Sequence, residues 1–220
     1  MDNKVLTVAI IGAGSRGADS YGMIILKDPR FKIVAVCDVR QVRLNTCKER
    51  FGVEDKNLFL DENEFFKEKR ADICVVATQD KDHVRNCIDA LRVGYDVLLE
   101  KPITYSKEEC FRLLEAQKKY GGKVLVCHVL RYAFAYTMAA KMIDEGKIGQ
   151  LVDIHAIEQV TFWHQAHSYV RGNWRRSEDT SPMIMAKCCH DMDLLQWFAK
   201  SKFKTISSIG SLSYFKKENQ

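Results

Sequence analysis

The 220-residue chain is 46% hydrophobic and carries a formal net charge of +5, enough apolar residues for one good core and most of a second. Its 34 basic and 29 acidic residues are spread along the sequence without a clustered basic stripe, which argues against nucleic acid as a partner, and no apolar run approaches membrane-spanning length. Eight cysteines are scattered without a C-x-x-C pair and several sit inside apolar segments, the usage expected of a reducing cytoplasm.

In chain order, Val5–Ile11 reads as a strand rather than a secretion signal, because Gly12 and Gly14 interrupt the apolar run. Gly12-x-Gly14-x-x-Gly17 follows at once. In such a fingerprint the first glycine makes the tight turn, the second lets backbone approach a pyrophosphate, and the third lets helix and strand pack closely. Phe31–Cys37 is a second strand, ending at Asp38, the acid expected on the adenosine ribose. These spacings predict a dinucleotide site built from Gly12, Gly14, Ser15, Arg16, Gly17 and Asp38. A carboxylate at Asp38 repels a 2′-phosphate and favours NAD, whereas Arg40 and Arg43 could attract one, so NAD is the first expectation and NADP the alternative. Arg16 either lies over the pyrophosphate or is a solvated helix residue.

Alternation continues with a helix over Gln41–Phe51, a short strand at Asn57–Leu60, a helix over Glu62–Lys69 and an apolar strand from Asp72 to Ala77. An amphipathic helix at His83–Val93 stops at Gly94, Tyr95–Leu99 is a strand, Lys107–Tyr120 a helix closed by Gly121 and Gly122, and Lys123–Cys127 a strand. Strands joined by crossover helices predict a parallel, doubly wound sheet over residues 1–128. From residue 129 to 220 the texture changes to a partial α+β domain for substrate binding or oligomerisation. It has a helix over Ala135–Glu145, a partly alternating strand at Leu151–Phe162, an arginine-rich loop from Trp163 to Arg176, a helix over Pro182–Lys200 and a strand at Phe203–Phe215. Its open, mainly antiparallel sheet has few partners, so either another subunit covers the edge, making a homo-oligomer, or the domain is truncated.

Ligands of an open parallel sheet gather beyond the carboxyl ends of its strands. Thr78, His83, Glu100 and Lys101 are therefore expected at the nicotinamide end. Lys101 is either a proton carrier, since lysine pKa falls readily on desolvation, or a surface lysine in the turn fixed by Pro102. His83 is either a helix-start residue or a ribose contact. In the loop before the last long helix, Arg171, Trp174 and Arg175 combine guanidinium forks with an aromatic face, a mixture suited to a polyhydroxylated or anionic ligand. His164 and His167 lack a third ligand nearby, so no metal is expected. Cys188 and Cys189 read as packing residues.

Val8-Ala9-Ile10-Ile11-Gly12-Ala13-Gly14-Ser15-Arg16-Gly17, Ala77-Thr78, His83, Glu100-Lys101-Pro102, Gly146-Lys147-Ile148-Gly149 and His190-Asp191-Met192-Asp193 together resemble the Gfo/Idh/MocA oxidoreductases, the glucose–fructose oxidoreductase and inositol dehydrogenase superfamily. The resemblance implies a Rossmann domain followed by an α+β substrate domain. It also implies an NAD(P)-dependent interconversion of a secondary alcohol and a ketone on a sugar, cyclitol or related polyol. Lys101 then matches the family's active-site lysine, His190 its acid/base histidine, and Asp193 an orienting or capping partner placed among the substrate-binding residues. Many members carry an aspartate four residues before that histidine, where this chain has Ala186, followed by Lys187. On a helix Lys187 and His190 share a face, so a second cation is expected to favour the neutral imidazole. Two other activities fit the same motifs: glycoside cleavage with a retained NAD, and dinucleotide sensing without turnover.

Overall fold

The computed structural model describes residues 4–178 and 180–219. The chain divides into two compact units between Cys127 and His128.

The first unit is a six-stranded parallel sheet made of β1 (Leu6–Ile11), β2 (Phe31–Cys37), β3 (Leu58–Phe59), β4 (Ile73–Val76), β5 (Asp96–Leu99) and β6 (Val124–Val126), in the order β3-β2-β1-β4-β5-β6. This 3-2-1-4-5-6 order is the doubly wound dinucleotide-binding topology, whose switch point lies between β1 and β4. The helices are α1 (Met23–Lys27), preceded by a wide helical turn Ser15–Gly22, then α2 (Gln41–Phe51), α3 (Glu62–Phe65), α4 (His83–Arg92) and α5 (Lys107–Tyr120).

Alternation along each strand feeds two cores, as a sheet buried on both faces requires. Ala9, Ile11, Cys74, Val76, Val97 and Leu99 face one, with Phe65, Val84, Leu91 and Tyr95. Val8, Ile10, Ile33 and Val75 face the other, with Leu44 and Cys47 from α2. On that second face an apolar recess of about 340 Å³ is lined by residues that include Val75, Leu98 and Leu125. Tyr95 is fully buried and its hydroxyl accepts the backbone N–H of Arg70 at 2.9 Å, the handle a buried tyrosine needs.

Helix α3 ends at Phe65, four residues short of the expected Lys69, because Phe65 and Phe66 both turn into the core. Its Asp61 side chain accepts the N–H of Asn63 and caps the N-terminus. The Lys101–Pro102 peptide bond is cis.

The second unit contains α6 (Phe134–Asp144), a three-residue turn α7 (Phe162–His164) and α8 (Met183–Ala199). The expected antiparallel sheet is not formed among the described residues. The segments predicted as strands at Leu151–Phe162 and Phe203–Phe215 make no ladder, because an extended segment becomes a strand only beside a partner that takes its N–H and C=O groups. Val152, Ile157, Ile206 and Ile209 remain exposed along these segments, so the sheet that was to carry oligomer contacts is absent here. The segment expected as a loop from Trp163 is instead helical through Val170, with α7 continuing into a wide turn at Gln165–Val170.

Candidate functional site

The glycine loop joins β1 to the turn Ser15–Gly22, and each glycine answers a different demand. Gly12 has φ +88°, and a Cβ there would lie 2.4 Å from the carbonyl oxygen of Ala77 at the end of β4. A Cβ on Gly17 would lie 2.0 Å from the oxygen of Gly12. At Gly14 a Cβ would meet nothing within 4 Å. The first and third glycines thus close the loop on the sheet, while the second leaves open space at a helix N-terminus, where a pyrophosphate could meet backbone N–H groups. The residues present fit a dinucleotide. Ser15 and Arg16 are exposed beside that opening.

Asp38 is buried at the end of β2. One carboxylate oxygen accepts the Ala13 N–H at 2.8 Å and the other accepts the Arg40 N–H at 2.9 Å, with Arg40 Nε at 3.5 Å. The acid predicted for the ribose therefore also fastens the glycine loop to β2. A carboxylate has about four lone-pair sites, so capacity remains for a ribose hydroxyl.

Beyond β4 and β5 lie the residues expected at the nicotinamide end. Thr78 is half-buried and its hydroxyl accepts from Asn86 Nδ2 at 3.3 Å. The His83 ring is buried between two backbone carbonyls, Pro102 O at 2.8 Å from Nδ1 and Thr78 O at 3.2 Å from Nε2. Both ring nitrogens thus face protein groups, and the histidine joins the segment after β4 to the turn after β5. Glu100 is buried; one oxygen accepts the Tyr21 hydroxyl at 2.6 Å and the other accepts the Lys101 backbone N–H at 2.8 Å. Arg16 Nε stands 3.8 Å from the first of these oxygens. Lys101 itself is half-buried. Burial, with Cys127 and Glu100 beside it, pushes the Tyr21 phenol far above its ordinary range, so Tyr21 remains a hydroxyl that donates to Glu100. Burial likewise raises the Cys127 thiol to about 11.

In the second unit, His190 is half-buried on α8 and its ring meets that of His128 edge-to-face at 5.7 Å between centroids. Asp193, one turn on, is gripped by Arg131, with Nε at 2.6 Å from one carboxylate oxygen and a terminal nitrogen at 2.8 Å from the other. The Arg131 guanidinium also lies 5.4 Å from the Trp197 ring centroid. Such a fork matches a carboxylate in both geometry and charge, and it commits Asp193 to Arg131 on the 129–132 turn. Lys187 Nζ is 2.9 Å from His164 Nε2 and 6.0 Å from the Tyr169 ring centroid. Trp174 is half-buried with its ring 6.4 Å from Tyr169, whereas Arg171 and Arg175 are exposed. The structure thus joins Lys187, predicted beside His190, to His164.

Tyr21, His128, Arg131 and His164 were missed as site residues by sequence reasoning. Tyr21 carries no local motif, and the spacing of His128 and Arg131 from Asp193 says nothing of contact. His164 belongs to the loop expected at the substrate, but its sequence position does not announce Lys187 as its partner. Among the described residues no group of three His, Cys, Asp or Glu is arranged to hold a metal ion. None of the eight cysteines is in a disulfide. No described helix is long and apolar enough to cross a membrane.

A 3-2-1-4-5-6 parallel sheet, an open second glycine and an acid closing the loop define a dinucleotide-binding protein of the Rossmann class. The chain belongs to the Gfo/Idh/MocA oxidoreductase family: the family's NAD-binding Rossmann fold matches residues 6–128 and its C-terminal alpha/beta domain matches residues 140–219. Among curated relatives it is 28% identical over 189 residues to the putative oxidoreductase YteT of Bacillus subtilis, covering 84% of this chain and 44% of that protein. It is 23% identical over 202 residues to inositol 2-dehydrogenase of Salmonella typhimurium, covering 91% and 56%. Among solved structures, scyllo-inositol dehydrogenase from Lactobacillus casei with bound NAD(H) and scyllo-inositol shares the fold at a TM-score of 0.75 and 23% identity, over 90% of this chain and 57% of that one. The chain spans about half the length of the curated relatives it matches.

Proposed function

We propose that this protein is an NAD(P)-dependent oxidoreductase that interconverts a secondary alcohol and a ketone on a sugar, cyclitol or related polyol. The observation that carries this reading is the Glu100-Lys101-Pro102 turn, fastened at the carboxyl end of β5 in the same unit as a glycine loop open at Gly14. The family supports it, as do the inositol dehydrogenases among its relatives.

When bound, the nicotinamide cofactor supplies a hydride acceptor or donor. Gly14, Ser15 and Arg16 would hold the pyrophosphate on the loop that Gly12 and Gly17 close; Asp38 would take the adenosine ribose and select NAD over NADP by repelling a 2′-phosphate; Thr78 and Glu100 would line the nicotinamide end. His83 serves that end through the backbone it bridges. Lys101 carries the proton of the substrate hydroxyl, which must leave as its carbon loses hydride; in the second unit His190 is the acid/base candidate. Lys187, hydrogen-bonded to His164, places a second cation in the substrate unit. Arg171, Trp174 and Arg175 are the substrate contacts in this reading, and Asp193 shapes the same surface through Arg131. The setting is cytoplasmic, in keeping with eight cysteines outside any disulfide.

The test is a screen of polyols and sugar acids with NAD and then NADP, following reduced cofactor. Lys101→Ala is expected to lower turnover at least ~100-fold, the usual worth of a positioned acid/base group, while NADH affinity measured by fluorescence changes less than about twofold. Full activity in Lys101→Ala would remove the lysine from the chemistry.

A further inference from the structure

Tyr21 belongs to the turn that follows the glycine loop, yet its hydroxyl reaches the turn after β5 that carries the proposed catalytic lysine. The ring is half-buried, and the hydroxyl donates to Glu100 Oε1 at 2.6 Å while in hydrogen-bonding contact with the Cys127 thiol at the end of β6. The other oxygen of the same buried carboxylate accepts the backbone N–H of Lys101 at 2.8 Å. A carboxylate 6% exposed is costly unless hydrogen bonds take its lone pairs, so this pair of contacts fixes its orientation. A short O–H···O⁻ contact on one oxygen restricts where the other can point, and the Lys101 backbone follows it.

We propose that Tyr21 is a positioning residue for Lys101: through the buried Glu100 it ties the cofactor-loop turn to the backbone of the lysine, so that the two are set by one hydrogen-bond chain. The inference rests on the reading of Lys101 as the proton carrier. Tyr21 itself touches neither the hydroxyl being oxidised nor the transferred hydride. Its effect is on where the lysine stands, and the expected signature lies in kcat.

The test uses the full chain and the conservative variant Tyr21→Phe, which keeps the ring and removes only the hydroxyl. Turnover is expected to fall about tenfold with the KM for cofactor changed less than about twofold, because misplacing a reacting group costs rate more than binding. The Lys101 amide proton, assigned by NMR, is expected to move upfield as its bond to Glu100 weakens. Glu100→Gln is expected to shift the same amide, and adding Tyr21→Phe to it to cost little more, because both changes cut one chain. An unmoved Lys101 amide with unchanged kcat would overturn the proposal, as would a loss confined to cofactor KM or additive losses in the double variant. If Lys101→Ala keeps full turnover, the reading of the lysine fails, and the amide shift alone then decides whether Tyr21 sets that backbone.

Discussion

At the residue scale, carboxylates fasten this protein. Asp72 at the start of β4 accepts the N–H and hydroxyl of Thr7 at 2.9 and 2.8 Å, and Lys4 approaches its other oxygen at 3.2 Å. The Thr7 backbone and hydroxyl bonds, followed by Lys4, hold its carboxyl down to about 2. A carboxyl lower in the folded than in the unfolded state, where it titrates near 3.9, stabilises the fold above pH ~4, and that contribution disappears as pH falls toward 2. Asp72→Asn is therefore expected to cost about 1 kcal/mol at pH 7, discounted for partial exposure, with the difference vanishing near pH 2. Urea melts of both proteins across that range check it; a gap that stays constant with pH would contradict the assignment. Backbone demands were legible where a motif marks them, as for the close approaches at Gly12 and Gly17. Partners were not: Tyr21 meets Glu100 from 79 positions away and Arg131 meets Asp193 from 62, distances at which one sequence carries no pairing signal.

At the element scale, the glycine loop separates folding from binding. Alanine at Gly17 would put its Cβ 2.0 Å from the Gly12 oxygen, whereas alanine at Gly14 meets nothing within 4 Å and its φ of −77° suits any residue. Gly17→Ala is expected to destabilise the protein by about 1–3 kcal/mol through overpacking against backbone. Gly14→Ala is expected to leave stability within about 0.5 kcal/mol and to weaken NADH binding at least ~10-fold by filling the space a pyrophosphate needs. Thermal melts and fluorescence titrations read the two effects separately, and equal stability losses at both positions would contradict the division of roles. The parallel strands were legible because burial on both faces writes continuous apolar runs such as Ile73–Val76. The segment from Leu151 was not, since its partial alternation states only which residues could face a neighbour and cannot supply the neighbour. The helical turns at Phe162–Val170 were missed because histidines, serine and glutamine between aromatics read as loop composition.

At the scale of the whole molecule, the first unit carries a complete sheet with two cores, while the second is helical with extended, largely exposed segments. The division between them was visible as a change of texture after β6. The glycine loop was more legible than the second unit: backbone geometry around glycines obeys fixed steric rules, whereas side chains of the second unit are brought together from distant turns, as Lys187 and His164 are. The central claim is that hydride passes directly between a carbinol carbon and the nicotinamide. It is tested by incubating the protein and NAD with an active polyol carrying deuterium on its carbinol carbons and weighing the reduced cofactor by mass spectrometry. The account predicts one deuterium in the nicotinamide ring, accumulating at least ~100-fold more slowly with Lys101→Ala; product formed while the cofactor stays oxidised and unlabelled would contradict it.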